Sequence, residues 1–171
     1  MRSSALVVAA CLLAACLSAG CSLAASLVPS KAPAPPPGQP TPAPTIDLKV
    51  LAREYLIAAG DSNKAHDVLE KQCDGVLSLK AQKTCWAKEA DIERTLLKAY
   101  TELQVPPQLE ADFAALRQAV AAYETILRQA AAAKTNAEAR AFTTKVNSKS
   151  TAVTKAANKV RADLGLPLIK I

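Results

Sequence analysis

The chain has few residues able to do chemistry: five cysteines, a single histidine and scattered carboxylates. His66 stands beside Asp67 and one turn before Glu70. Residues four apart share a helix face, so a metal site is the first reading to test. Bundle metal sites draw paired Glu-x-x-His motifs from several helices, and this sequence has none. His66 therefore reads as a surface histidine among charges. CxxCH for haem attachment, a phosphate-binding glycine loop and a Gly-x-Ser-x-Gly elbow are all missing from the sequence. No acid, base and nucleophile can be assembled, so the expectation is no enzyme, no metal and no cofactor. Glu89 lies on the inward line of the second helical stripe described below. A buried acid pairs with a cation or shifts its pKa, although the commoner place for such a residue is a frayed end of the core.

The most extended chemical feature is a run of cations. Arg140, Lys145, Lys149, Lys155, Lys159 and Arg161 follow one another with no acid between Glu138 and Asp163. On a helical wheel Arg140, Lys145, Lys149, Lys155 and Lys159 cover about half the circumference, opposite a valine stripe. Such a face attracts polyanions: anionic lipid headgroups, cell-wall polymers or an acidic partner. An ordinary solvated face is the preferred reading of the residues themselves, since the charges are sparse and no aromatics interleave with them.

Where these residues act depends on the N-terminus. Met1-Arg2-Ser3-Ser4 is a short positive start, Ala5 to Leu13 is apolar, and small residues follow, which is the order of a secretory signal. The stretch resembles the lipobox of bacterial lipoproteins, in which an aliphatic and two small residues precede a cysteine that is lipidated and becomes the new N-terminus. Two windows fit. Leu13-Ala14-Ala15-Cys16 has the better residue types but a short apolar region. Ser18-Ala19-Gly20-Cys21 has the more usual length and a following serine, and is slightly preferred. An uncut signal anchor is one alternative, because Ser3 to Ser30 carries no charge and about 20 apolar residues span a bilayer, and simple secretion is another. All these readings place the remainder outside the cytoplasm, on the extracytoplasmic face of the cell membrane, periplasmic or at the cell surface. Nucleic acid is then not an expected partner.

Val28 to Thr45 holds most of the prolines. Proline lacks an amide donor and fixes φ, so the segment is expected to be disordered in the sense of an extended polyproline-like spacer. At about 3.1 Å per residue it could hold a domain roughly 50 Å from a membrane.

From Ile46 the apolar residues take a helical period. Leu48, Leu51, Tyr55, Ala58, Ser62, Ala65 and Leu69 predict one long helix to about Asp74, with a kink allowed at Gly60-Asp61 and a stop at Gly75. Cys85, Ile92, Leu96, Ala99 and Leu103, flanked by Trp86 and Tyr100, make a second stripe that Val105-Pro106-Pro107 ends. Leu109, Phe113, Leu116, Val120, Tyr123, Leu127 and Ala130 make a third, with the narrow seam of coiled-coil packing. Thr135 or Asn136 caps a fourth, running through Ala139, Phe142, Val146, Val153, Ala157, Val160 and Leu164. The expected fold is all-α: an antiparallel up-down four-helix bundle after a signal peptide and a proline-rich linker. The expected bounds are 1–20 for the signal peptide, 21–45 for the tether, 46–164 for the bundle and 165–171 for a C-terminal tail. Cys73 and Cys85 fall near the end of the first helix and the start of the second, which predicts a disulfide in an oxidising compartment.

Lipobox, proline-rich tether and alanine-rich helices ending in "VRADLGLP", Val160 to Pro167, together resemble a loose group of uncharacterised bacterial lipoproteins. The resemblance implies a fold and a place but no activity. The functional expectation is a membrane-anchored, non-catalytic binding or scaffolding module of the cell envelope, contacting an anionic envelope component or a protein partner. The alternative is a small-molecule or metal-carrying or sensing bundle, with its ligand near Tyr55, Glu89 and Tyr123.

Overall fold

A computed structural model describes residues 46–75 and 78–170. The signal peptide, Cys16, Cys21 and the proline-rich tether lie outside the described residues. Within them the chain is a four-helix bundle with no strand: α1 Leu48–Cys73, α2 Leu79–Glu102, α3 Glu110–Ala131 and α4 Asn136–Asp163.

Local chemistry sets each helix boundary. Asp47 caps α1 by accepting from the Lys49 amide at 2.8 Å, and Ser78 caps α2 by accepting from Ala81 at 3.3 Å. α3 has no side-chain cap. Glu110 and Asp112 instead place negative charge in its first turn, where the helix dipole favours it. Thr135 starts α4 by accepting from the Glu138 amide, and the Glu138 carboxyl reaches back to the Lys134 amide at 2.6 Å. This is a close variant of the reciprocal capping box. α4 ends in a Schellman motif: Leu166 N–H donates to Arg161 O and Gly165 N–H to Ala162 O. That motif needs a left-handed residue, and Gly165 supplies it at φ +67°. α1 passes through Gly60 without interruption.

The core has two halves. One joins Leu51 and Tyr55 of α1, Leu96 and Tyr100 of α2, Phe113 to Val120 of α3, and Ala157 and Val160 of α4. The other joins Trp86 and Ala90, Tyr123 to Ala130, Ala133, Ala139 and Val146. No α1 residue belongs to this second cluster. The C-terminal half of α1 presents mostly small residues inward, and what ties it down is more specific. Cys73 is disulfide-bonded to Cys85, with Cα atoms 6.1 Å apart, and Lys88 donates to Gln72 at 2.9 Å.

The stripe on α2 differs from the expected one. Trp86 and Tyr100 are buried in the core rather than flanking it, and Ala90 and Glu93 join them, while Ile92 and Ala99 are half-buried. α2 lies between α1 and α3 and therefore carries two overlapping inward faces, which a single stripe cannot describe. The residues after α4 dock rather than trail. Leu166 and Ile169 pack on the core, Asn158 bonds the Ile169 backbone through both its amide atoms, and Arg161 Nε donates to Pro167 O at 2.5 Å.

Candidate functional site

Two features collect the polar chemistry: a buried layer between the two halves of the core, and the outer face of α4.

In the buried layer α1 supplies His66, α2 supplies Glu89 and Glu93, and α3 supplies Tyr123. Glu93 is only 4% exposed, at a core position of α2 between the buried Ala90 and Leu96. Its Oε1 lies 2.9 Å from His66 Nε2. Its Oε2 is buried with no hydrogen-bond partner. Leaving such an atom unpaired costs on the order of 1–3 kcal/mol, so the layer is a polar defect kept inside a thin core. One turn away, Glu89 accepts a hydrogen bond from the Tyr123 hydroxyl.

The His66 side chain is about 23% exposed, so the reading of it as a surface histidine is corrected. It bridges α1 to α2. Its pKa is raised: burial acts to lower it, but the hydrogen bond to Glu93 and the charges of Glu93, Glu89 and Asp67 outweigh burial. Burial pushes the Glu89 carboxyl above its usual value, and nearby Glu93 adds to this. Tyr123 and His66 offset only part of the rise. Burial, then the Glu89 carboxyl, raises the Tyr123 phenol.

Further along the bundle Tyr55 and Tyr100 stack with centroids 5.3 Å apart, and Phe113 meets Tyr55 edge-on at 6.3 Å. Burial raises both phenols, and the Arg161 guanidinium partly offsets the rise. Arg161 is itself buried, with no carboxylate within 4.0 Å among the described residues. It belongs to the interior, not to the basic face.

On that face Arg140, Lys145, Lys149, Lys155 and Lys159 are all exposed. Lys159 is bound to Asp112 of α3, which raises its pKa and lowers that of Asp112. Lys145 lies 5.3 Å from the Phe142 ring centroid. Arg140, Lys145, Lys149 and Lys155 have no ion-pair partner among the described residues. Ion pairs form elsewhere: between helices Arg128 meets Asp91 and Arg94 meets Glu124, while within α3 Arg128 meets Glu124 and Arg117 meets Glu110.

Among the described residues no group of three or more histidine, cysteine or carboxylate side chains is arranged to hold a metal ion. No helix described is long and apolar enough to cross a membrane. Two shallow openings flank α1. One of about 320 Å³ lies beside the disulfide, between Gln72 and Lys88, and one of about 270 Å³ lies between Ala58 to Ala65 and Asp91 to Leu96. Neither contains the buried acids.

Sequence reasoning found Glu89 and the basic face but missed Glu93. Its only signal was its place three residues before Leu96 and seven before Tyr100, on the line that proved to face inward. The chain matches no known family model, no curated protein and no solved structure.

Proposed function

We propose that this chain is a lipid-anchored, extracytoplasmic, non-catalytic binding module: a lipobox cysteine, Cys21 or Cys16, holds it to a membrane, and the proline-rich segment spaces the bundle from it. The bundle is up-down and antiparallel, a topology supported by the pairing of late α1 with early α2 through Cys73 and Cys85, and of early α1 with late α2 through Tyr55 and Tyr100. The disulfide fits an oxidising compartment. The observation that carries the binding role is the set of unpaired, exposed cations at Arg140, Lys145, Lys149 and Lys155 on one helix, α4, which carries no acid between Glu138 and Asp163. Exposed and unneutralised on one helix, they are suited to an anionic surface such as lipid headgroups or a cell-wall polymer.

The test is co-sedimentation of the purified chain with anionic vesicles and with cell-wall fragments. Retention is expected at low salt and loss by about 0.5 M, where the Debye length falls to a few ångströms. Replacing Arg140, Lys145, Lys149 and Lys155 by glutamine should abolish retention while helicity is kept. Retention unchanged by the four replacements rejects the reading.

A second reading, a small-molecule or metal-carrying or sensing bundle, draws on the unpartnered Glu93 Oε2 beside Glu89 and His66. It requires a stoichiometric adduct in native mass spectra of protein purified from its own envelope. A bare polypeptide mass counts against it.

A further inference from the structure

Of six large apolar side chains left exposed among the described residues, five are on α1: Leu48, Val50, Leu56, Ile57 and Val68. Three of them fall into a pattern. Val50, Glu54, Ile57, Asp61, Lys64, Val68 and Lys71 are spaced four, three, four, three, four and three apart, which is the a/d spacing of a coiled-coil seam. This is a second seam on α1. It lies roughly 115° around the helix from the inward line of Leu51, Tyr55 and Leu69, at 100° per residue. Val50, Ile57 and Val68 are 51%, 53% and 55% exposed, and the charged members are exposed as well.

The order of charges along this seam is self-complementary. Acids occupy its first half, Glu54 and Asp61, and bases its second, Lys64 and Lys71. Turned end for end about a two-fold axis between residues 62 and 63, a second α1 sets Asp61 against Lys64, Ile57 against Val68 and Glu54 against Lys71, each pair occurring twice by symmetry. Every one of these pairs joins an a position to a d position, as antiparallel helices require. The parallel arrangement instead stacks Asp61 on Asp61 and Lys64 on Lys64.

Gly60 gives a separate indication. Glycine inside a helix is unfavourable, and nothing in the bundle requires it: a Cβ built there meets no atom within 4 Å. It points away from the core, so the outer side of α1 carries no side chain there to hold a second helix off. The lone contact among the charged seam residues is Asp61 with Lys64 of its own helix at 3.1 Å, a solvent-exposed pair that can exchange for two intermolecular ones.

We propose that the outer face of α1 is a homodimer interface, across which two copies of this chain pack α1 against α1 in antiparallel sense. Two-thirds of these layers are ionic and the seam is short, which places it among the small interfaces, below about 1,200 Å² of buried surface. Dimerisation therefore depends on concentration and weakens with salt.

The test is sedimentation equilibrium of the full chain in density-matched detergent, from about 1 μM to about 1 mM. Wild type is expected to move from monomer to dimer over this range. Asp61→Lys and Lys64→Asp each create two like-charge contacts and should raise the dissociation constant at least about tenfold. The double variant D61K/K64D restores opposite charges across the two-fold and should recover the wild-type constant. Circular dichroism of all four proteins shows whether each is folded, and the double variant keeps the comparison valid if a single one is not. A wild type that stays monomeric, or a dimer indifferent to both single reversals, overturns the proposal. Monomers that instead pellet with uncharged vesicles assign the face to a lipid surface and overturn it equally.

Discussion

Removing the Cys73–Cys85 link should cost more here than its position near a surface turn suggests. The cysteines are 12 residues apart, and closing a loop of that size restricts the unfolded chain by about 3 kcal/mol in the chain-entropy model. Little apolar burial compensates in this region: Leu69 is the one buried apolar side chain in the C-terminal half of α1, and it belongs to neither core cluster. The variant Cys73→Ser/Cys85→Ser should therefore lose about 3 kcal/mol. With a denaturant slope of about 2 kcal/mol/M, the urea midpoint should fall by roughly 1.5 M. Hydrogen exchange should localise the effect. Amides from about Ser62 to Cys73 should exchange faster, while those around Leu51 and Tyr55, inside the first cluster, should change only with global stability. Equal midpoints for variant and wild type, or acceleration spread evenly along α1, would refute the claim that the disulfide substitutes for packing at this end.

The buried layer makes stability fall as pH rises. A raised His66 pKa means that its stabilisation is complete below about 6.5, the unfolded value, and is lost as pH climbs through the elevated folded value. The raised Glu89 pKa acts in the same direction at lower pH, with loss beginning above 4.5. Urea midpoints at pH 5.5 and 8.5 should thus decline in wild type and decline less in His66→Gln; a midpoint that rises with pH contradicts this. Replacing the pair together, His66→Leu/Glu93→Leu, removes the orphan Oε2 and should stabilise by about 1–4 kcal/mol, whereas Glu93→Leu alone strands His66 and should gain less. Melting curves of both variants decide it, and a double variant less stable than wild type speaks against a polar defect. Gly165→Ala should cost about 1 kcal/mol at its left-handed φ, and an unchanged urea midpoint would show that the Schellman turn is not needed to dock Leu166 and Ile169.

The third stripe was legible because its members from Phe113 to Ala130 are apolar or aromatic and all face inward across both halves of the core; each is buried, and Ile126 joins them. The helix caps at Thr135 and the stops at Gly75 and Gly165 were legible for a similar reason, since local backbone chemistry decides them. α2 was harder. Binary patterning puts charge outward, so Glu93 could not be assigned to the interior. Its partner, His66, is 27 residues away with no periodicity linking the two. Arg161 was hidden likewise: within a run of exposed cations, the turn at Gly165 brings the Pro167 carbonyl back onto this one alone. Long-range polar pairing is a property of how helices dock, and a single helix's pattern does not carry it.

Peptide mass analysis of the protein extracted from its native membrane addresses the central claim most directly. The account predicts a lipid-modified first residue at Cys21 or Cys16, with no residue before it, and a Cys73–Cys85 linked peptide. An intact Met1 in a water-soluble chain with Cys73 and Cys85 both reduced would contradict it.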